Sequence, residues 1–179
     1  MKYIIIISTI IFLSACNTTY VKPTPQPQII GEHLDFPLLD EWKILETYSS
    51  PELDTKSYIA RYDSPIYWTG KIKVLTFDNT DKKYTAETLA VVLMDAIKGN
   101  CYGKQHDIFN GLQNNYATSA KLITCYNSIK KEETVVNLKT IEGTDKIYGI
   151  EMRFNGYQTD QELNDRALML KNVIVVDGK

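Results

Sequence analysis

Three cysteines, two histidines and a scatter of carboxylates are the groups in this 179-residue chain that could carry chemistry, and their spacing decides which chemistry that is. Catalytic constellations are mostly missing. There is no glycine-rich phosphate loop, no nucleophile elbow and no paired-histidine zinc motif. Ser128-Ile129-Lys130-Lys131 has a Ser-x-x-Lys spacing, but it falls where a hairpin turn is expected and no Ser-Asp-Asn or Lys-Thr-Gly element accompanies it. Asp78-Asn79-Thr80-Asp81 lacks the length and distal glutamate of a calcium loop and reads as a turn into a helix. His106 and Asp107 are adjacent, yet adjacency along a chain does not bring two side chains together. Carboxylates such as Asp95 or Glu151 leave open a hydrolase of cell-wall or lipid material, since an acid-base pair cannot be seen in sequence. With no nucleophile constellation, the reading is a non-catalytic protein with no catalytic residue, no metal ligand set and no cofactor.

Cys16 is different, because its surroundings are specific. Lys2 precedes an apolar run from Tyr3 to Leu13, which leads into Leu13-Ser14-Ala15-Cys16. About eleven apolar residues are too few for a membrane span, which needs roughly twenty, and suit a signal-peptide core. The segment resembles the lipobox of bacterial lipoprotein precursors. That resemblance implies cleavage after Ala15, a diacylglyceryl thioether on Cys16 and acylation (palmitate) of its new amino group. More than one acyl chain, at roughly 0.8 kcal/mol per buried methylene, makes a stable membrane anchor. In families with this motif an Asp after the cysteine favours inner-membrane retention. Asn17 stands there, so the implied destination is the outer membrane, on its periplasmic face.

The expected division is a signal peptide at 1–15, a lipidated cysteine with a proline-rich tether at 16–30, and one domain at 31–179. Pro23, Pro25 and Pro27 favour an extended tether of about 3.1 Å per residue. Cleavage removes Lys2 and no acid, so the formal charge of −2 becomes −3. The basic pair Lys130-Lys131 is followed at once by Glu132-Glu133, and without a concentrated positive face no nucleic-acid partner is expected. The partners expected are the membrane, through the anchor, and an envelope protein.

In an oxidising compartment the two remaining cysteines, Cys101 and Cys125, are expected to form a disulfide. Closing a loop of about 25 residues contributes on the order of 3 kcal/mol in the chain-entropy model. Between them lies a stretch with Gly103 and Gly111 that reads as a surface loop, from Asp107 to Asn115, following the end of a helix. Tyr102 and Phe109 in this stretch are the candidate binding residues, and the partner surface is expected either on this loop or on the exposed edge of the sheet. Tyr58, Tyr62, Tyr67 and Trp68 form a second aromatic group, in which Tyr58 and Tyr62 are expected to share a strand face.

The elements that must position these groups are read from periodicity. Strands are predicted at Trp42 to Tyr48, Lys56 to Asp63 and Lys71 to Phe77, then at Tyr116 to Asn127, Thr134 to Ile141 and Ile147 to Phe154. The last alternates Tyr148, Ile150, Met152 and Phe154 against Gly149, Glu151 and Arg153, and Gly143-Thr144-Asp145 supplies its hairpin turn. A helix from Thr85 to Lys98 presents Leu89, Val92, Leu93, Ala96 and Ile97, with Thr85 as N-cap. A second, from Asp160 to Lys171, has Thr159 and Glu162 at capping-box spacing and buries Leu163, Ala167 and Leu170. Val173 to Val176 is a further edge strand. The class is α+β, an antiparallel sheet with two packed helices in the order βββ-α-βββ-α. This order, the Phe36-Pro37 and Trp42 opening and the terminal helix running into Val173-Ile174-Val175-Val176 resemble the PsbP-like family, which includes small periplasmic lipoproteins. The resemblance is one of element order over residues 33–176 and transfers no functional residue.

Overall fold

The computed structural model describes residues 31–37, 42–64, 69–98, 102–127, 132–156 and 158–178. Cys16 and everything before Gly31, together with Tyr67, Trp68, Cys101 and the Ser128 to Lys131 quartet, lie outside the described residues. The order is β1 Gly31–Asp35, β2 Trp42–Ser49, β3 Leu53–Ala60, β4 Gly70–Asp78, α1 Ala86–Lys98, β5 Tyr102–Gln113, β6 Tyr116–Asn127, β7 Glu132–Glu142, β8 Lys146–Asn155, α2 Asp160–Asn172 and β9 Ile174–Gly178. Two meanders, β2–β3–β4 and β5–β6–β7–β8, join through β4 and β8 into a seven-stranded antiparallel sheet of order β2-β3-β4-β8-β7-β6-β5. β1 and β9 pair only with each other, as an antiparallel ribbon. The α+β class holds, with β1 added ahead of the expected first group of strands and β5 ahead of the second.

Strand alternation sorts the core into two layers. Tyr148, Ile150, Met152 and Phe154 of β8 join Ile72, Ile141, Leu170, Val173 and Val175, which places α2 and the ribbon on that face. Val136 and Leu138 of β7 and Ile123 of β6 pack on Ala90, Met94 and Ile97, which places α1 on the other. Each fully buried aliphatic side chain contributes roughly 1.5–3 kcal/mol of transfer free energy.

The local signals that set the helices are present. Thr85 caps α1, its hydroxyl accepting from the Thr88 amide at 3.2 Å while Thr88 Oγ1 accepts from the Thr85 amide at 2.8 Å. The stripe α1 buries is Ala86, Leu89, Ala90, Met94 and Ile97, whereas Val92 is half-exposed and Ala96 exposed. The apolar pattern admits two overlapping stripes, and Ala86 sets the one that faces the sheet: Thr140 donates to its carbonyl at 2.6 Å. In α2 the Thr159/Glu162 capping box forms as expected. Leu170 is buried and Leu163 partly so, but Ala167 faces solvent, and the half-buried Arg166 guanidinium lies 3.6 Å from the centre of the Phe154 ring instead. β3 ends at Ala60, so Tyr62 sits in the following turn, 96% exposed, and shares no strand face with Tyr58. Asp78 accepts from the amide and hydroxyl of Thr80, and buried Asn79 bonds the Tyr84 backbone in both directions, which makes this segment the expected turn.

Candidate binding edge and groove

The stretch read as a loop over Asp107 to Asn115 is strand up to Gln113, part of a twelve-residue β5 paired with β6 along its whole length. Its two glycines, read as loop signals, serve the strand. A Cβ at Gly103 would collide with the carbonyl oxygen of Thr124, so the two backbones could not approach. Gly111 lies beneath the Phe109 ring, where a Cβ would stand 3.2 Å from Cζ, so the ring covers the backbone that the glycine leaves bare. A bulge between Asp107 and Phe109 leaves Ile108 as the extra residue.

β5 is one edge of the sheet, and its outer backbone faces no other strand among the described residues. Long open edges are templates for strand addition, and proteins blunt them with charges and bulges. β5 has Lys104, Asp107 and the bulge, yet it also exposes Ile108, Phe109 and Leu112, the last at 72%. Across from them, Leu168 of α2 is 56% exposed. Between the strand and the helix runs an apolar groove of about 650 Å³, floored by Ala120 and walled by Ile108, Phe109, Leu112, Ala167 and Leu168.

At its C-terminal end α2 is tied to the sheet beside the groove by a cation. Lys139, on β7 and 2% exposed, donates to the carbonyls of Leu170 at 2.9 Å, Lys171 at 3.3 Å and Val173 at 2.6 Å. The last turn of a helix carries unsatisfied carbonyls and the negative end of its dipole, so an ammonium there terminates α2 and ties it to the sheet. Burial pushes the Lys139 ammonium's pKa down to about 8. At the edge, Lys121, itself buried, bonds Asp107 at 2.7 Å and holds that carboxyl below the ordinary aspartate range.

Of the residues singled out from sequence, Phe109 lies on the groove wall and Tyr102 opens β5. Both stand on a strand, which corrects the loop reading, and that strand is itself an edge of the sheet. Cys125 is half-buried on β6 beside the α1 layer, directly opposite Gly103; Cys101, its expected disulfide partner, lies outside the described residues. His106 is exposed while Asp107 binds Lys121, so these two form no acid-base pair. Glu151 is buried against Arg153, and Asp95 is exposed on α1. Among the described residues no three His, Cys, Asp or Glu side chains gather in a metal-binding geometry. No described helix is long and apolar enough to cross a membrane. Sequence reasoning missed Lys139, Ile108, Leu112 and Leu168. A lone lysine within the apolar run of β7 was the available signal.

No protein-family model and no curated protein sequence matches the chain. Solved structures match its fold. LpqN of Mycobacterium tuberculosis, described as involved in cell envelope biogenesis, superposes with a TM-score of 0.50 at 11% identity, covering 85% of this chain and 87% of its own. A variant of the protein Mog1 matches with a TM-score of 0.45 at 13% identity, over 78% of this chain and 85% of its own. The Saccharomyces cerevisiae Ran-binding protein Mog1p matches with a TM-score of 0.40 at 14% identity, over 79% and 85%.

Proposed function

We propose that this chain is a lipid-anchored envelope protein that binds another envelope protein and performs no catalysis of its own. The observation that carries the reading is the open β5 edge with an apolar groove beside it. An extended segment of the partner would add to β5 through main-chain hydrogen bonds while its alternate apolar side chains enter the groove. The sequence around Cys16 supports an anchor at the periplasmic face of the outer membrane, and the fold shared with LpqN is in keeping with work in a cell envelope. A Cys101–Cys125 disulfide would pin the start of β5 to β6 at the end where Gly103 faces Cys125, lowering the cost of ordering the edge on association.

Co-purification from detergent-solubilised membranes tests this. Wild-type protein is expected to bring down a stoichiometric partner, and Leu112→Asp and Phe109→Ala are expected to lose it while keeping their melting temperature, because both side chains are substantially exposed. Full capture by both variants would remove the edge as the binding surface. Release of the wild-type protein from membranes by high salt alone would remove the anchor.

A further inference from the structure

A second concavity, of about 570 Å³, lies on the α2 side of the sheet at its opposite end, between β1 and the face of β2, β3 and β4. The pairing registers arrange its floor in three rows. Ser49, Asp54, Thr76 and Tyr148 form one, Thr47, Lys56 and Val74 the next, and Tyr58 leads the third, with Phe36 tilted onto its ring at a centroid distance of 6.1 Å. The cleft therefore grades from polar to aromatic across about three residues.

Its acceptors are already used. Asp54 accepts from the Ser49 hydroxyl, and Glu32 on β1 accepts from the Thr144 amide and from the Tyr148 hydroxyl at 3.3 Å. The Ser49 and Tyr148 hydroxyls are used in those bonds, but three other donors are not. Lys56, Thr47 and Thr76 make no side-chain hydrogen bond among the described residues, while Lys146, at the polar end, lies opposite Asp78, whose carboxyl is drawn down first by its Thr80 bonds and further by this ammonium. Tyr58 and Val74 are only half-buried although they lie within the sheet face. The cleft thus offers an aromatic platform, two hydroxyls and, in Lys56, an ammonium with no ion-pair partner among the described residues to an occupant that supplies acceptors and a negative charge.

We infer that this cleft binds a carboxylate-bearing sugar, the apolar face of the ring lying on Tyr58, the carboxylate at Lys56 and ring substituents at Thr47 and Thr76. An aromatic side chain with a few convergent polar groups is the usual composition of a small-molecule site, and a hydrogen bond to a charged group is worth about 1.5–3 kcal/mol, or roughly tenfold or more in affinity.

The test titrates the full-length protein in detergent micelles with N-acetylmuramic acid, and with N-acetylglucosamine as the neutral control, following backbone amide shifts. Saturable shifts at Tyr58, Val74 and Thr76 are expected with the acid, and at least tenfold weaker binding with the neutral sugar. Lys56→Gln, on an exposed side chain, should erase that difference, Tyr58→Ala should abolish binding, and Tyr58→Phe should retain it. Equal binding of both sugars, shifts confined to the β5 groove, or no shift in the millimolar range would each overturn the assignment. The site is independent of the β5 edge, so Lys56→Gln should capture the protein partner as wild type does.

Discussion

The two helices hold to the sheet by different means. α1 buries Ala86, Leu89, Ala90, Met94 and Ile97 against an apolar sheet face, a contact that leaves little for a partner to gain. α2 buries Leu170 fully and is fixed by polar devices at its ends, the Thr159/Glu162 box at one and the Lys139 ammonium at the other. Between those ends Arg166 rests on the Phe154 ring and covers only one side of the helix. The apolar side chains beside it, Ala167 and Leu168, face the β5 groove and not the core, so one helix is scaffold and the other walls the groove.

This contrast can be broken by substitution, beginning with the largest effect. Met94→Ala removes a fully buried side chain from the α1 layer and should cost about 2–5 kcal/mol in chemical denaturation. Lys139→Met leaves three carbonyls at the end of α2 without their donor and should cost about 1–3 kcal/mol, with faster amide exchange confined to α2 and β9. It should also change the pH profile. Because burial lowers the folded-state pKa of Lys139 from 10.5 to about 8, the unfolded chain holds the extra proton between those values. Wild-type stability therefore rises relative to Lys139→Met as pH climbs from about 8 towards 10, and that gain is lost as pH falls back through 8. Above pH 10 the raised Tyr116 hydroxyl, pushed up to about 12 by its bond to Asp177, acts with the opposite sign, so the comparison belongs below it. Thr159→Ala should cost about 1 kcal/mol through the lost cap. Leu168→Ala should fall within about 0.5 kcal/mol of wild type and yet weaken partner capture; a cost equal to that of Met94→Ala would show that α2 is seated as α1 is.

What could be read from sequence followed how local each cause is. The α2 capping box and the alternation of β8 depend on neighbours three and two residues away, and both appear as expected. The α1 stripe was partly legible, because two apolar stripes overlap on that helix and only the contact of Ala86 with Thr140 selects between them. β5 was not legible as a strand: the reasons for Gly103 and Gly111 are the Thr124 carbonyl and the Phe109 ring, and the first lies across the sheet. Lys139 finds its acceptors more than thirty residues further along the chain, so nothing near it announces its role. The groove shares that opacity, since it is assembled from β5, β6, β7 and α2.

The β1–β9 ribbon has a mechanical consequence. Gly31, the first described residue, pairs with Gly178, and β1 is held by five residues of ladder and by the bonds of Glu32 to Thr144 and Tyr148. A force drawing Gly31 away from the domain would load this short ladder before it reached the seven-stranded sheet. β1 would be the first element to yield, and its Glu32 and Leu34, with Phe36 just beyond it, line the cleft over Tyr58. Pulled from that end, the domain would open its cleft while the seven-stranded sheet stayed whole, so the roof over Tyr58 is the mechanically weakest part of the fold.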